Sequence, residues 1–157
     1  MPNADVRAPR LPPRWFIRSF WHAHRWVYRV SGGRLGLRPP TDTDWGMLRL
    51  NTTGRRTGRE HGVIVGYLED GPNLHTLAMN GWDDPEPAWW LNLQAQPRAS
   101  VEMVDGTRQV IAHAATGEER ERLWAAWRAV DKGLDAYAAK RSRETAVVVL
   151  APATHRP

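Results

Sequence analysis

Alternating apolar and polar positions mark short strands through the middle and the end of the chain. Leu48, Leu50 and Thr52 alternate with polar neighbours, which is the period of a strand with one buried face. Asp-Gly pairs at 70–71 and 105–106 stand between apolar runs and indicate tight hairpin turns. The pattern predicts six strands, over residues 47–53, 63–68, 74–79, 98–104, 107–114 and 145–150.

Helical spacing appears before and between these strands. Toward the N-terminus, basic residues recur every three or four positions among Trp and Phe, at Arg14, Arg18, His22, Arg25 and Arg29. This spacing predicts an amphipathic helix over residues 14–33, preceded by a proline-rich flexible arm over residues 1–13. Shorter helices are predicted over 85–94, 117–130 and 135–141. Thr116 and Glu119 have the spacing of a capping box at the start of the helix over 117–130.

The connections between strands indicate the class of fold. Tight turns, rather than crossover helices, join most of the strands, which favours antiparallel pairing over a parallel sheet. Six such strands with helices packed outside predict a mostly β fold with α, a small barrel or half-barrel over residues 45–152. The length of 157 residues fits one domain.

Composition narrows the range of functions. The chain has no cysteine, which excludes disulfides, thiolate metal sites and a cysteine nucleophile. It has no apolar run long enough to span a membrane and no secretory signal, so a cytoplasmic location is predicted. The net charge of +5 comes from arginine, since Lys132 and Lys140 are the only lysines. The arginines are scattered and no nucleic-acid-binding motif is present, so no nucleic-acid partner is predicted.

The turn between the first two predicted strands is a candidate anion site. Two glycines bracket Arg55, Arg56 and Thr57, and Arg59 follows. Guanidinium groups and turn amides suit phosphate, although an exposed basic hairpin tip would have the same sequence. His61 could reach the same anion or be an ordinary strand residue.

The segment 80–92 is a second candidate site. Trp89 and Asn92 lie three positions apart on a predicted helix, so an indole and an amide would face the same side and could hold a planar ring. The alternative is that Trp89 belongs to the core. Asp83, Asp84 and Glu86 could suggest a metal, but the prediction is that they favour the helix N-terminus electrostatically and that no metal binds.

A set of motifs in order resembles one family of enzymes. The motifs LRLNTTGRRTGRE, YLEDG, AWWLNLQAQPRASVE, EERERLWAAW, a Tyr-bearing segment and AVVVL together resemble the deazaflavin (F420)-dependent nitroreductases and F420H2-dependent quinone reductases. The resemblance covers residues 47–152. It implies a split β-barrel, flavin-reductase-like, and binding of reduced coenzyme F420, which carries an anionic tail of phospholactate and glutamates.

The resemblance also implies residue roles. The turn would grip the anionic tail, and the deazaflavin ring would lie along 63–65, 78–80 and 88–92. The implied cofactor-binding residues are Arg55, Arg56, Thr57, Gly58, His61, Val63, Val65, Ala78, Met79, Asn80, Ala88, Trp89 and Asn92. Hydride would pass from C5 of the ring to a quinone, nitroaromatic or activated alkene, with Tyr137 as the catalytic proton donor. Departures from the family include Gly66, Leu134 and Lys140, at positions where members carry aromatic residues.

Other interpretations of the sequence stay open. A chain with this fold could carry a cofactor or a fatty acyl ligand without catalysis, or use flavin mononucleotide. The helix over residues 14–30 could lie on the inner face of the cell membrane and approach a lipid quinone, or it could pack on the barrel with its arginines in solvent.

Overall fold

Six antiparallel strands form a closed barrel in the order β1-β2-β3-β6-β5-β4. The structure is a computed structural model that describes residues 36–154. The strands are β1 (Gly46–Thr53), β2 (Glu60–Asp70), β3 (Asn73–Leu77), β4 (Arg98–Met103), β5 (Gly106–Ala114) and β6 (Val147–Pro152). This architecture confirms the predicted fold class. The predicted arm over 1–13 and the helix over 14–33 lie outside the described residues.

Within residues 36–154, three helices accompany the barrel: α1 (Ala88–Ala95) between β3 and β4, then α2 (Gly117–Val130) and α3 (Leu134–Ala138) between β5 and β6. Several boundaries differ from those predicted. Strand β2 begins earlier, at Glu60, because it stays paired with β1 until Thr53 faces Glu60. Helix α1 begins later, since Pro87 is in an extended conformation and acts as its N-cap.

The predicted capping box at the start of α2 is wrong. Thr116 makes no side-chain hydrogen bond to the helix, and the chain enters α2 through Gly117 with a φ of 56°. The Glu119 carboxylate instead lies 2.9 Å from Nε2 of His113 on β5. The helix end is therefore tied to the barrel rather than to its own first turn.

Two apolar clusters hold the molecule together. Alternate side chains of the strands point into the barrel, where Leu48 faces Val65 across the β1–β2 pair. Helix α1 adds Trp89, Trp90 and Leu93 to this interior cluster. The second cluster packs strand residues against α2 and α3, and consists of Leu68, Leu77, Ala115, Leu123, Trp127, Leu134, Val147 and Val149. Burial of these side chains is the main source of stability.

His75 is a buried polar residue on β3. Its side chain is 1% exposed, and its Nδ1 atom accepts a hydrogen bond of 3.0 Å from the indole N–H of Trp127. The neutral ring must therefore carry its proton on Nε2, which has no hydrogen-bond partner among the described residues. Burial lowers the pKa of His75 to about 4, although the Asp70 carboxylate acts in the opposite direction. Protonation of Nδ1 would also remove the acceptor for Trp127.

This histidine makes the stability of the fold depend on pH. Its pKa is lower in the folded chain than in the unfolded chain, so the stabilisation is complete above pH 6.5 and is lost as the pH falls toward 4. We expect the free energy of unfolding to fall by roughly 3 kcal/mol between pH 7 and pH 4 because of His75. Urea denaturation at a series of pH values measures this free energy of unfolding.

The matched variant is His75→Asn, which keeps an acceptor near the position of Nδ1 and removes the titration. Its stability should change much less over the same interval, with the remaining change coming from carboxylates such as Asp70, whose pKa the Arg122 side chain lowers. Parallel pH profiles for the two proteins would contradict this account of His75.

Candidate functional site

An open cleft of about 1240 Å³ runs along β2. It is lined by the turn between β1 and β2, by β2 residues 61–66, by the loop 79–83, by the start of α1 and by Trp127 of α2. Strand β2 spans about 16 Å between His61 and Gly66, at the usual rise of ~3.3 Å per residue. The two ends of the cleft differ in chemistry.

The basic end is formed by the turn over residues 54–59. Gly58 has a φ of 69°, which favours glycine, and its amide donates to the Gly54 carbonyl at 2.8 Å. A Cβ on Gly54 would lie 2.7 Å from the His61 ring, so a larger residue there would displace the His61 side chain. The turn thus has one defined conformation that leaves the Arg55, Arg56 and Thr57 side chains exposed along the cleft.

Most of the turn's backbone amides are already used inside the protein. The Gly54 amide donates to the Arg59 carbonyl, the Arg59 amide to the Thr57 hydroxyl and the Arg55 amide to Asn92. This corrects the expectation that several backbone N–H groups of the turn would surround an anion. An anion here would be held chiefly by guanidinium groups.

Asn92 of α1 connects the turn to the rest of the fold. Its Oδ1 atom accepts hydrogen bonds from the Arg55 amide at 3.2 Å and from Nη1 of Arg55 at 3.0 Å. Its Nδ2 atom donates to the Thr52 hydroxyl at 3.1 Å, and the residue is only 4% exposed. The buried amide therefore joins β1, α1 and the turn.

The opposite end of the cleft is aromatic. The Trp45 ring lies over Gly66, where a Cβ would come within 2.8 Å of it, and its centroid is 6.3 Å from that of Trp127. Trp82 also lines this end, and the Tyr137 ring stacks behind it at 6.2 Å with an interplanar angle of 11°. The backbone of Trp82 has a φ of 62°, which is uncommon and strained for a bulky residue.

A buried arginine holds the loop that carries Trp82. Arg141 is 6% exposed, and its guanidinium donates to the carbonyls of Ala78, Asp83 and Asp84, the Thr145 hydroxyl and the Glu86 carboxylate. The Asp84 carboxylate accepts from the Ser142 amide and hydroxyl, which lowers its pKa. Such a network fixes both the left-handed backbone at Trp82 and the wall of the cleft.

The carboxylates of the acidic loop over residues 83–86 bind the segment that follows α3. Asp84 and Glu86 precede the first turn of α1, which contains no acidic residue, and both are bound by residues 141–143. Their effect on the N-terminus of α1 stays a prediction. Within residues 36–154, no group of three or more His, Asp or Glu side chains is arranged to hold a metal ion. Over the same residues, no helix is long and apolar enough to cross a bilayer.

Most of the predicted cofactor-binding residues line this single cleft: Arg55, Arg56, Thr57, His61, Val63, Val65, Met79, Asn80, Ala88, Trp89 and Asn92. Gly58 shapes the turn without lining the cleft, and Ala78 is fully buried with its carbonyl bound to Arg141. Tyr137 is not a lining residue and reaches the cleft only through Trp82.

Several residues of the site are not among those that the sequence predicts: Trp45, Trp82, Trp127, Thr52 and Arg141. Tryptophans are common in ordinary cores as well as in binding sites. A buried arginine that binds backbone carbonyls leaves no motif in the sequence.

Loss of the Arg141 side chain should destabilise the loop over residues 79–87. In Arg141→Met the Glu86 carboxylate, 14% exposed, loses its close partner and three carbonyls lose a donor. We expect the free energy of unfolding to fall by about 3 kcal/mol and amide exchange in residues 79–87 to accelerate. Urea denaturation and hydrogen exchange measure the two effects.

The matched control is Arg143→Met. The Arg143 side chain is 51% exposed and lies 3.9 Å from the same Glu86 carboxylate, so its removal should cost under ~1 kcal/mol. Equal losses in the two variants would show that Arg141 is not the group that fixes the loop.

A family model and several related proteins match this chain. The family model described as F420H(2)-dependent quinone reductase matches residues 20–152. An F420H(2)-dependent quinone reductase of Mycobacterium tuberculosis strain H37Rv is 32% identical over 92 residues, which are 56% of this chain. The match spans 60% of that relative's length, and a quinone reductase of strain CDC 1551 matches equally.

Solved structures agree with the family match. The structure of an F420-H2 dependent reductase aligns with a TM-score of 0.61 and 27% identity, over 66% of this chain and 92% of its own. A domain-swapped dimer aligns with a TM-score of 0.64 over 88% of this chain and 99% of its own, and its 24% identity supports the fold alone. The resemblance seen in the motifs is confirmed: the chain belongs to the F420H(2)-dependent quinone reductase family.

Proposed function

We propose that this protein is an F420-dependent oxidoreductase that passes a hydride from the reduced deazaflavin to a quinone-type acceptor. The observation that carries the proposal is the cleft itself, with exposed arginines toward the His61 end of β2 and tryptophans toward Gly66. A cofactor with a planar ring and an anionic tail matches these two ends in their chemistry.

The basic end is suited to the tail of phospholactate and glutamates. Arg55 and Arg56 line it with the Thr57 hydroxyl, and His61 stands beside them. The described carboxylates that line the cleft belong to Asp83, in the loop after β3, and Asp131, at the end of α2, so none of them belongs to the turn. Guanidinium groups can bind phosphate and carboxylate through paired hydrogen bonds.

The rest of the cleft would orient the two reactants. The bound cofactor would supply the hydride, from C5 of its reduced ring. The side chains of Val63, Val65 and Met79 and the start of α1 would hold the ring, while Trp45, Trp82 and Trp127 would exclude water and offer flat surfaces to a planar acceptor. Quinones, nitroaromatics and activated alkenes are the acceptor classes proposed. Contact of residues 14–30 with a membrane and use of a lipid quinone rest on the sequence pattern alone.

The affinity for F420 should depend on the arginines of the turn. Oxidised F420 should quench tryptophan fluorescence, since several tryptophans line the cleft. In Arg55→Ala/Arg56→Ala the dissociation constant should rise at least tenfold, because hydrogen bonds from charged groups are lost. The matched control is Arg98→Ala/Arg108→Ala, which removes the same charge from exposed positions outside the cleft lining and should change the constant by less than about threefold.

Three outcomes would count against the proposal in different ways. Equal weakening in the two double variants would mean that net charge, and not the turn, attracts the ligand. Absence of binding by the wild type, with flavin mononucleotide bound instead, would favour the flavin alternative. Tight binding of reduced F420 without oxidation by menadione would favour the carrier alternative.

The role of Tyr137 as proton donor stays a prediction, and Tyr137→Phe tests it. This variant keeps the ring that stacks on Trp82 and removes only the hydroxyl. A proton donor would show a fall in turnover with menadione of 10²-fold or more, with unchanged F420 affinity. Turnover within about twofold of the wild type would show that the Tyr137 hydroxyl is not the proton donor and that the residue only supports Trp82.

A further inference from the structure

We propose that Asn92 is a positioning residue for Arg55 and acts on the anionic tail of the cofactor through that arginine, not by contact with the deazaflavin ring. The inference rests on the proposed function and adds to it the group that orients the arginine. It differs from the expectation drawn from the sequence, in which Asn92 and Trp89 together hold the ring.

The hydrogen bonds of Asn92 account for this role. A carbonyl oxygen of an amide has two lone pairs, and Oδ1 of Asn92 uses both on Arg55, one for the backbone N–H and one for Nη1. A ring contact through this oxygen would require one of these bonds to break. The Nδ2 group is held by Thr52, which is 1% exposed, so the amide cannot flip without losing its partners.

The position of Asn92 also explains why it would order the side chain of Arg55 in the turn. Asn92 is buried on α1, whereas Arg55 is exposed in a turn whose conformation is otherwise set by its own backbone bonds. The bond at Nη1 uses one donor of the guanidinium and leaves the remaining N–H groups for a ligand. The long arginine side chain is therefore ordered before an anion arrives, which lowers the entropy cost of binding.

The Asn92 side chain is neutral, and this affects the charge that Arg55 presents to a ligand. An aspartate in this place could accept the same two hydrogen bonds, but its charge would offset that of Arg55 at hydrogen-bond distance. Asn92 orders the guanidinium and leaves its full positive charge for the ligand. Asn92→Asp should therefore keep the geometry and still weaken the binding of an anionic tail.

A double-mutant cycle on the affinity for oxidised F420 tests the proposal. We expect Asn92→Ala alone to raise the dissociation constant about tenfold, and to have less than a twofold effect when Arg55 is already alanine. Thr52→Val, which releases the other side of the amide, should show a smaller loss that also disappears in the Arg55→Ala background. This milder variant decides the question if Asn92→Ala fails to fold. Equal effects of the Asn92 or Thr52 change in both backgrounds would overturn the proposal.

A second ligand distinguishes an effect of Asn92 on the tail of the cofactor from an effect on its ring. The deazaflavin chromophore without its phospholactate and glutamate tail should bind Asn92→Ala and the wild type with the same affinity. A marked loss of affinity for this ligand in Asn92→Ala would show that Asn92 contacts the ring and would also overturn the proposal. Unchanged affinity of Asn92→Asp for full-length F420 would contradict the argument from neutrality.

Failure of this inference and failure of the proposed function give different results. A wild type that does not bind F420 removes the proposed function, and the positioning role falls with it. A wild type that binds F420, with equal effects in the cycle, leaves the function in place and removes only the role given to Asn92.

Discussion

The pairing of β1 on both of its edges is the constraint on which the rest of the structure depends. This strand bonds to β2 on one side and to β4 on the other, so it closes the barrel. Its register with β2 runs unbroken to the pair of Thr53 and Glu60, and this fixes the turn 54–59 at its end. A slip of one residue would turn Leu48 and Leu50 outward and displace the arginines from the cleft. The core and the basic end of the site therefore depend on the same hydrogen-bond ladder.

A second constraint acts on the far end of the cleft. There the wall is an irregular loop, and no ladder of backbone hydrogen bonds fixes it. Buried Arg141 fixes the loop instead, by binding the carbonyls of Ala78, Asp83 and Asp84. This network and the stack on Tyr137 keep the strained backbone of Trp82 in place. The aromatic end is thus held by contacts within the protein, as the proposed transfer between two oriented molecules needs.

The sequence predicts the barrel well because its strands follow a period of two and its hairpins carry Asp-Gly pairs, which are local signals. It predicts the arginine turn because residue types and spacing are enough to suggest an anion site. It fails where partners are distant along the chain. The Arg55 amide is bound by Asn92, 37 positions away, and Asp84 is bound by Ser142, 58 positions away. The tryptophans are an ambiguous signal, since core and binding surfaces share that composition. Tyr137 does not line the cleft and stacks on Trp82, and its role as proton donor stays a prediction.

The most direct test of the central claim, that one cleft along β2 holds the tail at the turn and the ring toward the tryptophans, is amide hydrogen exchange of the wild type with and without oxidised F420. The account predicts slower exchange in residues 54–61 and in 79–89 on binding, with no change at the exposed β4–β5 turn around Gly106. Protection that spares residues 54–61, or that appears on another face of the barrel, would contradict it.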